Sequence, residues 1–253
     1  MVDLGLADLS ARNSDAKNYV KRGLDEVKER IYLAAERSGR RVEDVRIMGV
    51  TKFQPLEAIY AARDAGLSLF GENRVQERDI KRASWEGPDA EWHMVGHLQR
   101  NKARRALELF DCIQSVDSVE LASTLERIIE ESDDGGEHFE SPYPIMVEVN
   151  TSGEISKQGI MPEKSFALID DIAVKCPSIV ITGLMTIGPL TRDEGRIQGA
   201  FASLRQLKDS AREKFGLELP HLSMGMSGDF ELAIIEGSTI VRVGTAIFGS
   251  RKP

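Results

Sequence analysis

VTKFQPLEAIYAARDAGLSLFGENRVQE, residues 50–77, holds one complete alternation of extended and helical chain. An apolar run ends at Val50 and Thr51, Pro55 suits a first helical position where its missing N–H costs nothing, and Gly66 is a natural helix stop. Leu67 to Phe70 then resumes a β-rich pattern. The first turn of this unit carries Lys52, whose ammonium is costly to bury unless something pairs with it or consumes it. Lys52 is therefore either a solvated strand end or a nucleophilic amine, and the rest of the chain must decide.

Working outward, the same alternation recurs. β-rich runs stand at Val45–Thr51, Leu67–Phe70, Trp92–Val95, Cys112–Val116, Ile145–Val149, Ile179–Met185, His221–Met224 and Ile240–Phe248, with helical patterns between them. Pro162 and Gly237 repeat the start and stop roles of Pro55 and Gly66. Eight such β-α units predict an α/β fold of (β/α)8 TIM barrel type, with an open doubly wound sheet as the alternative. Before the first strand, Val20, Leu24, Val27, Ile31 and Ala34 recur at helical spacing, so residues 15–37 read as a leading amphipathic helix ending before Gly39. Residues 131–144, ESDDGGEHFESPYP, read as an exposed acidic loop. No linker or repeat divides the chain, and its 253 residues suit a single domain spanning 1–253.

Composition excludes several classes of function. With 33 basic against 41 acidic residues the net charge is −8, which disfavours a broad grip on nucleic acid or anionic lipid and leaves local binding of small anions open. Cys112 and Cys176 show no CxxC spacing, which fits a reduced cytosolic protein with two buried thiols. Asp3 and Asp8 interrupt any signal-peptide core, and no run approaches the ~18 apolar residues of a membrane span. The expectation is a cytoplasmic protein with no membrane contact, in which the Asn150-Thr151-Ser152 sequon is idle.

In a barrel of this type chemistry gathers at the C-terminal strand ends. Lys52 falls at the first of these, on the same side of its strand as Met48 and Val50. SMGMSGDF, 223–230, places Ser227 and Gly228 before a helical pattern, and VRVGTAIFG, 241–249, adds Gly244 and Thr245. Glycine, hydroxyls and free backbone N–H groups at the last two strand ends predict a phosphate site; tight turns alone are the plain alternative. No GxxxxGK[ST] or GxGxxG stretch follows a strand, which argues against a nucleoside triphosphate or a dinucleotide. A lysine opposite a phosphate cradle points to Schiff-base chemistry on a phosphorylated aldehyde.

Five blocks spread over the chain carry a family resemblance: the 50–77 stretch, EWHMVGHLQRNK (91–102), SKQGI (156–160), GLMTIGP (183–189) and LSMGMSGDFELAIIEGSTIVRVGTAIFG (222–249). Together they resemble the YggS/PROSC family of pyridoxal phosphate homeostasis proteins, whose fold is similar to the N-terminal barrel domain of alanine racemase. The departures are confined to the N-terminal extension and the 131–144 loop. The resemblance implies that Lys52 holds pyridoxal 5′-phosphate as a Schiff base, that Ser227, Gly228, Gly244 and Thr245 bind its phosphate, and that Asn73 is a polar residue at the cofactor. It also implies Arg242 as the arginine facing the pyridine nitrogen; a buried ion pair is the alternative for that residue.

Remaining residues are weighed singly. His93 and His97 are four apart, but Gly96 and the β-rich context deny a helical metal face, so no metal is expected. His93 either packs near the cofactor or is a satisfied barrel histidine. Lys157 is a second amine near the mouth or a surface lysine, and Trp85 and Trp92 read as packing. Racemases of the related fold use a tyrosine as second proton-transfer group, and Tyr19, Tyr32, Tyr60 and Tyr143 all fall in predicted helices or the loop. The expectation is therefore a non-enzymatic protein that binds pyridoxal phosphate, buffers it and hands it to apo pyridoxal-phosphate enzymes. A weak amino-acid racemase is the runner-up, and a class I aldolase loses only on the resemblance.

Overall fold

Eight parallel strands pair in chain order and close on themselves, β1 (Arg46–Val50) meeting both β2 (Leu69–Glu72) and β8 (Ile240–Val243). Between these lie β3 (Glu91–Met94), β4 (Cys112–Val116), β5 (Tyr143–Glu148), β6 (Ile179–Met185) and β7 (His221–Met226). The computed structural model describes residues 4–85, 90–135, 139, 141–154 and 156–249. Each strand leads into helix: α2 (Leu56–Asp64), α3 (Val75–Ala83), α4 (Ala103–Leu109), α5 (Val119–Gly135), α6 (Pro162–Lys175), α7 (Glu194–Phe215), α8 (Phe230–Ile235) and α9 (Thr245–Phe248). The closed barrel is the predicted fold, and the open sheet is excluded by the pairing of β1 with β8.

Period-two alternation divides the apolar residues into two cores. Met48, Leu69, Val95, Cys112, Met146, Met185 and Ile240 fill the barrel interior. A larger cluster lies between strands and helices, including Phe70, Trp92, Ile113, Leu125, Phe201 and Phe230. The interior also carries buried polar residues on the same inward parity: His93, Gln114, Glu148, Ser223 and Arg242. Trp85 and Trp92 pack in the outer shell, with Trp92 5.1 Å from Phe70 and Trp85 stacked on Tyr60 at 4.9 Å.

Several boundaries differ from the sequence reading, and four of the differences have a local reason. The leading helix α1 (Leu4–Arg37) starts well before residue 15, because extending a nucleated helix costs little and no proline interrupts it. It ends as expected, with Gly39 at φ +65°. β2 runs on through Gly71 and Glu72; Gly71 fits there because a Cβ would meet Met48 Sδ at 2.6 Å. β8 stops at Val243, and Thr245–Phe248 is a helical turn. The expected 131–144 loop is shorter: α5 continues to Gly135 and β5 begins at Tyr143, whose buried hydroxyl donates to the Phe110 carbonyl at 2.5 Å. Residues 136–138 and 140 of that loop, and Asp3, lie outside the described residues.

α1 packs across α2, α8 and α9. Its Gly23 is required there, since a Cβ would stand 2.7 Å from the Ala246 carbonyl. Among the described residues no helix is long and apolar enough to cross a membrane, and no group of three His, Cys, Asp or Glu could hold a metal ion.

Candidate functional site

β1 delivers Lys52 to the C-terminal mouth. Thr51 still pairs as strand, its N–H donating to the Gly71 carbonyl at 3.0 Å, and its hydroxyl turns outward to Glu72 Oε1 at 2.5 Å. The next residue, Lys52, is half-buried in the turn that leaves the strand. Behind it the Lys81 ammonium pairs with the same Glu72 oxygen and donates to the Thr51 carbonyl at 2.7 Å. Burial pushes the Glu72 carboxyl up, opposed by Lys81 and Thr51. Phe53 follows in the left-handed region at φ 61°, unusual for a bulky residue, with its N–H held by Glu77 Oε2 at 2.9 Å. Lys52 is thus presented by a fixed turn between a buried ionic clamp and a strained residue.

The two halves of the expected phosphate cradle meet. Ser227 Oγ, after β7, accepts the Ala246 N–H of α9 at 3.3 Å. Gly244 lies against Val50, where a Cβ would stand 3.4 Å from its carbonyl oxygen, so the cradle borders the strand end that carries Lys52. A Cβ on Gly228 would meet nothing within 4 Å, which leaves that backbone open to a ligand. α8 and α9 are single short turns, so the available donors are the Ser227 and Thr245 hydroxyls and individual loop N–H groups. Arg30 of α1 braces the loop: it lies 4.3 Å over the Phe230 ring, and donates to Glu231 Oε1 at 2.7 Å and to the Ser227 carbonyl at 3.3 Å.

Arg242 rises from β8 into the interior beside Met48. Its two terminal nitrogens donate to the carbonyls of Ser223 and Thr186, both at 2.6 Å, and to Ser223 Oγ at 2.8 Å. Nε has no hydrogen-bond partner among the described residues. Burial lowers the guanidinium to about 10, with Glu148 and Asp229 opposing. The ion-pair alternative is thus realised only as attraction at a distance. Glu148, on β5, is itself buried; burial and the neighbouring Asp117 charge push its carboxyl up to about 7 against the pull of Arg242. Asp229 is raised by burial and accepts the Met226 N–H at 2.5 Å.

His93 lies deeper in the barrel with both ring nitrogens engaged, by Gln114 and Glu91, each at 2.7 Å. His97 is exposed on the following loop, so the two histidines do not converge. Asn73 is half-buried where β2 leaves the sheet; Gly96 is required beside it, since a Cβ would stand 2.3 Å from the Asn73 carbonyl oxygen. Asn73 also borders a groove of about 600 Å³ that runs along α3 past His97 and Lys102. Lys157 is not a plain surface lysine: it donates to the Gly188 carbonyl at 2.6 Å and pairs with Glu154 at 3.1 Å, joining the loops after β5 and β6.

Lys52, Ser227, Gly228, Gly244, Thr245 and Arg242 therefore gather at one end of the barrel, Asn73 stands at its rim, and His93 lies below. Sequence reasoning missed Glu72, Gln114, Glu148, Ser223 and Arg30. Gln114 and Glu148 had one visible signal, a polar residue at inward parity within an apolar strand.

Comparison with known proteins bears on the family and the fold. The family model described as alanine racemase, N-terminal domain, matches residues 23–252. A pyridoxal phosphate homeostasis protein of Aquifex aeolicus is 38% identical, over 90% of this chain and 97% of its own. Among solved structures, an unknown protein from Bifidobacterium adolescentis superposes with a TM-score of 0.84 at 37% identity, covering 92% of this chain and 96% of that one. PipY of Synechococcus elongatus with PLP bound gives 0.74 at 38% identity, over 88% of this chain and 100% of its own.

Proposed function

This chain belongs to the family of pyridoxal phosphate homeostasis proteins, within the alanine racemase N-terminal barrels, and from that premise we propose that it binds pyridoxal 5′-phosphate on Lys52 and buffers or delivers it inside the cell. The observation that carries the reading is the close approach of Gly244 to Val50, which puts the Ser227–Thr245 loops beside the strand end that leads to Lys52. The residues suit the group. Ser227 and Thr245 hydroxyls with the Gly228 and Gly244 backbone take the phosphate, Lys52 supplies the amine, Asn73 closes the rim, and Arg242 Nε is left to face the ring nitrogen. The bound cofactor would supply an aldehyde for the lysine and an electron sink. Arg242 donates but does not give up its proton readily, so it keeps the ring nitrogen an acceptor and the sink weak. His93, with both nitrogens engaged by Glu91 and Gln114, fits the satisfied barrel histidine better than a ring packed at the cofactor.

Delivery to apo pyridoxal-phosphate enzymes, without turnover, is the finer part of the proposal. One observation favours a second reading, slow racemisation: Glu148 is a buried carboxyl that titrates near neutrality at the mouth, a proton-transfer group that the tyrosine count overlooked. Borohydride reduction and peptide mapping should place the pyridoxyl group on Lys52; a label scattered over other lysines defeats the site. Holo-protein should reactivate an apo enzyme and form no D-alanine from L-alanine. Rapid D-alanine formation that Glu148→Gln abolishes would establish the racemase.

A further inference from the structure

A continuous chain of side-chain hydrogen bonds crosses the barrel interior from base to mouth. At the base, Arg46 of β1 forms an ion pair with Glu91 of β3. Glu91 Oε1 lies 2.7 Å from His93 Nε2, His93 Nδ1 lies 2.7 Å from Gln114 Nε2, Gln114 Oε1 lies 2.6 Å from Ser223 Oγ, and Ser223 Oγ lies 2.8 Å from Arg242 Nη1. Five strands contribute, and His93, Gln114, Ser223 and Arg242 are all buried.

The two ends, with the Gln114 carbonyl turned toward Ser223, fix the direction of every bond. An arginine only donates and an ionised carboxylate only accepts. Ser223 Oγ accepts from Arg242 and so sends its own proton to Gln114 Oε1. The Gln114 amide then donates to His93 Nδ1, which must be bare, and the ring proton on Nε2 goes to Glu91. Arg46 and His93 offset the cost of burial and hold the Glu91 carboxyl down to about 2, so the accepting end stays ionised. A uniform run of donors from a cation to an anion polarises each bond in the same sense.

We propose that Gln114 and Ser223, with His93 behind them, are positioning residues that orient the Arg242 guanidinium so that its Nε faces the mouth. The proposal rests on the pyridoxal phosphate reading for what Arg242 meets there, but its geometry belongs to the unloaded chain. Two carbonyls already hold the terminal nitrogens. What the chain adds is the orientation of the Ser223 hydroxyl, whose lone pair faces Arg242 only while Gln114 takes its proton. Gln114 makes its side-chain hydrogen bonds to His93 and Ser223 and none to Arg242, so an effect at Arg242 from changing Gln114 reports transmission along the chain.

The test uses the unloaded full-length protein labelled with nitrogen-15 at arginine and histidine. Wild type should show His93 as a neutral ring with its proton on Nε2. In Gln114→Leu the Arg242 side-chain N–H groups should exchange with solvent roughly tenfold faster, the factor corresponding to about one lost hydrogen bond. Gln114→Glu should keep the protection, because its carboxylate still accepts from Ser223 and takes a proton-bearing His93 on the other side; its His93 should then carry protons on both nitrogens. A wild-type His93 protonated on Nδ1 alone overturns the proposal, and so does unchanged Arg242 exchange in Gln114→Leu. If Gln114→Leu does not fold, the wild-type tautomer decides. Failure of the wild type to take up pyridoxal phosphate would defeat the cofactor reading separately. In loaded protein, the absorption band of bound cofactor should move in Gln114→Leu while borohydride labelling stays on Lys52.

Discussion

Replacing Glu148 with glutamine should stabilise the protein, and by an amount that depends on pH. Glu148 is 3% exposed, and burial together with the Asp117 charge raises its carboxyl from 4.5 to about 7 even against the attraction of Arg242. The folded protein therefore holds this proton more tightly than the unfolded chain does. The contribution of the group is fully present below about pH 4.5 and is lost as pH rises through about 7. At about 1.4 kcal/mol per pH unit, the whole effect is about 3 kcal/mol. Glutamine keeps the neutral shape at every pH, so variant and wild type should differ by under about 1 kcal/mol near pH 5 and by about 3 kcal/mol near pH 8. For a domain of this size that is a rise in Tm of roughly 6 to 12 °C at the alkaline end. Urea unfolding of both proteins across this range measures it. A difference that stays constant with pH, or a wild type that gains on the variant toward pH 8, refutes a proton held at this carboxyl.

Three further changes test the supports of the site. Lys81→Met leaves Glu72 buried with Thr51 alone, and should cost about 3 to 5 kcal/mol near neutral pH and less in acid, where the carboxyl protonates; an unfolding free energy equal to wild type would show the pair is dispensable. Gly96→Ala drives a Cβ to 2.3 Å from the Asn73 carbonyl oxygen, so a loss of at least about 1 to 3 kcal/mol should appear in thermal melts. Arg30→Ala breaks a half-exposed pair and should change stability by under about 1 kcal/mol. It should nevertheless weaken pyridoxal phosphate retention about two- to fivefold through the Ser227 loop, as read by equilibrium dialysis.

The barrel was legible because its signals are local. Each β-rich run and helical pattern shows in a window of a few residues, and Pro55, Gly66, Pro162 and Gly237 mark the joins. The errors fell where a local signal is ambiguous. Val243-Gly244-Thr245 continues an apolar run by composition, yet Gly244 starts a helical turn. Tyr143 follows an acidic, glycine-rich stretch, yet its hydroxyl finds the Phe110 carbonyl and the residue enters the sheet. That contact spans 33 positions, and no window of sequence contains it.

The same distinction separates the parts of the site. The strand-end positions of Lys52, Ser227 and Thr245 could be read from sequence because a strand end followed by a turn imposes local demands for glycine, hydroxyl or an interrupted apolar run. Gln114 meets Ser223 from 109 positions away and His93 from 21, so neither partnership leaves a spacing to read. What each leaves is one polar residue at inward parity in an otherwise apolar strand. Such a residue cannot stay unpaired in a closed interior without a cost of order 1–3 kcal/mol. Once closure is inferred, inward His93, Gln114, Glu148, Ser223 and Arg242 must therefore be partners of one another or of a ligand. His93, Gln114 and Ser223 satisfy this within the chain, and Arg242 does so through its two terminal nitrogens but not through Nε. The Glu148 carboxyl has no hydrogen bond among the described residues, which leaves it, with Arg242 Nε, to register what enters the mouth.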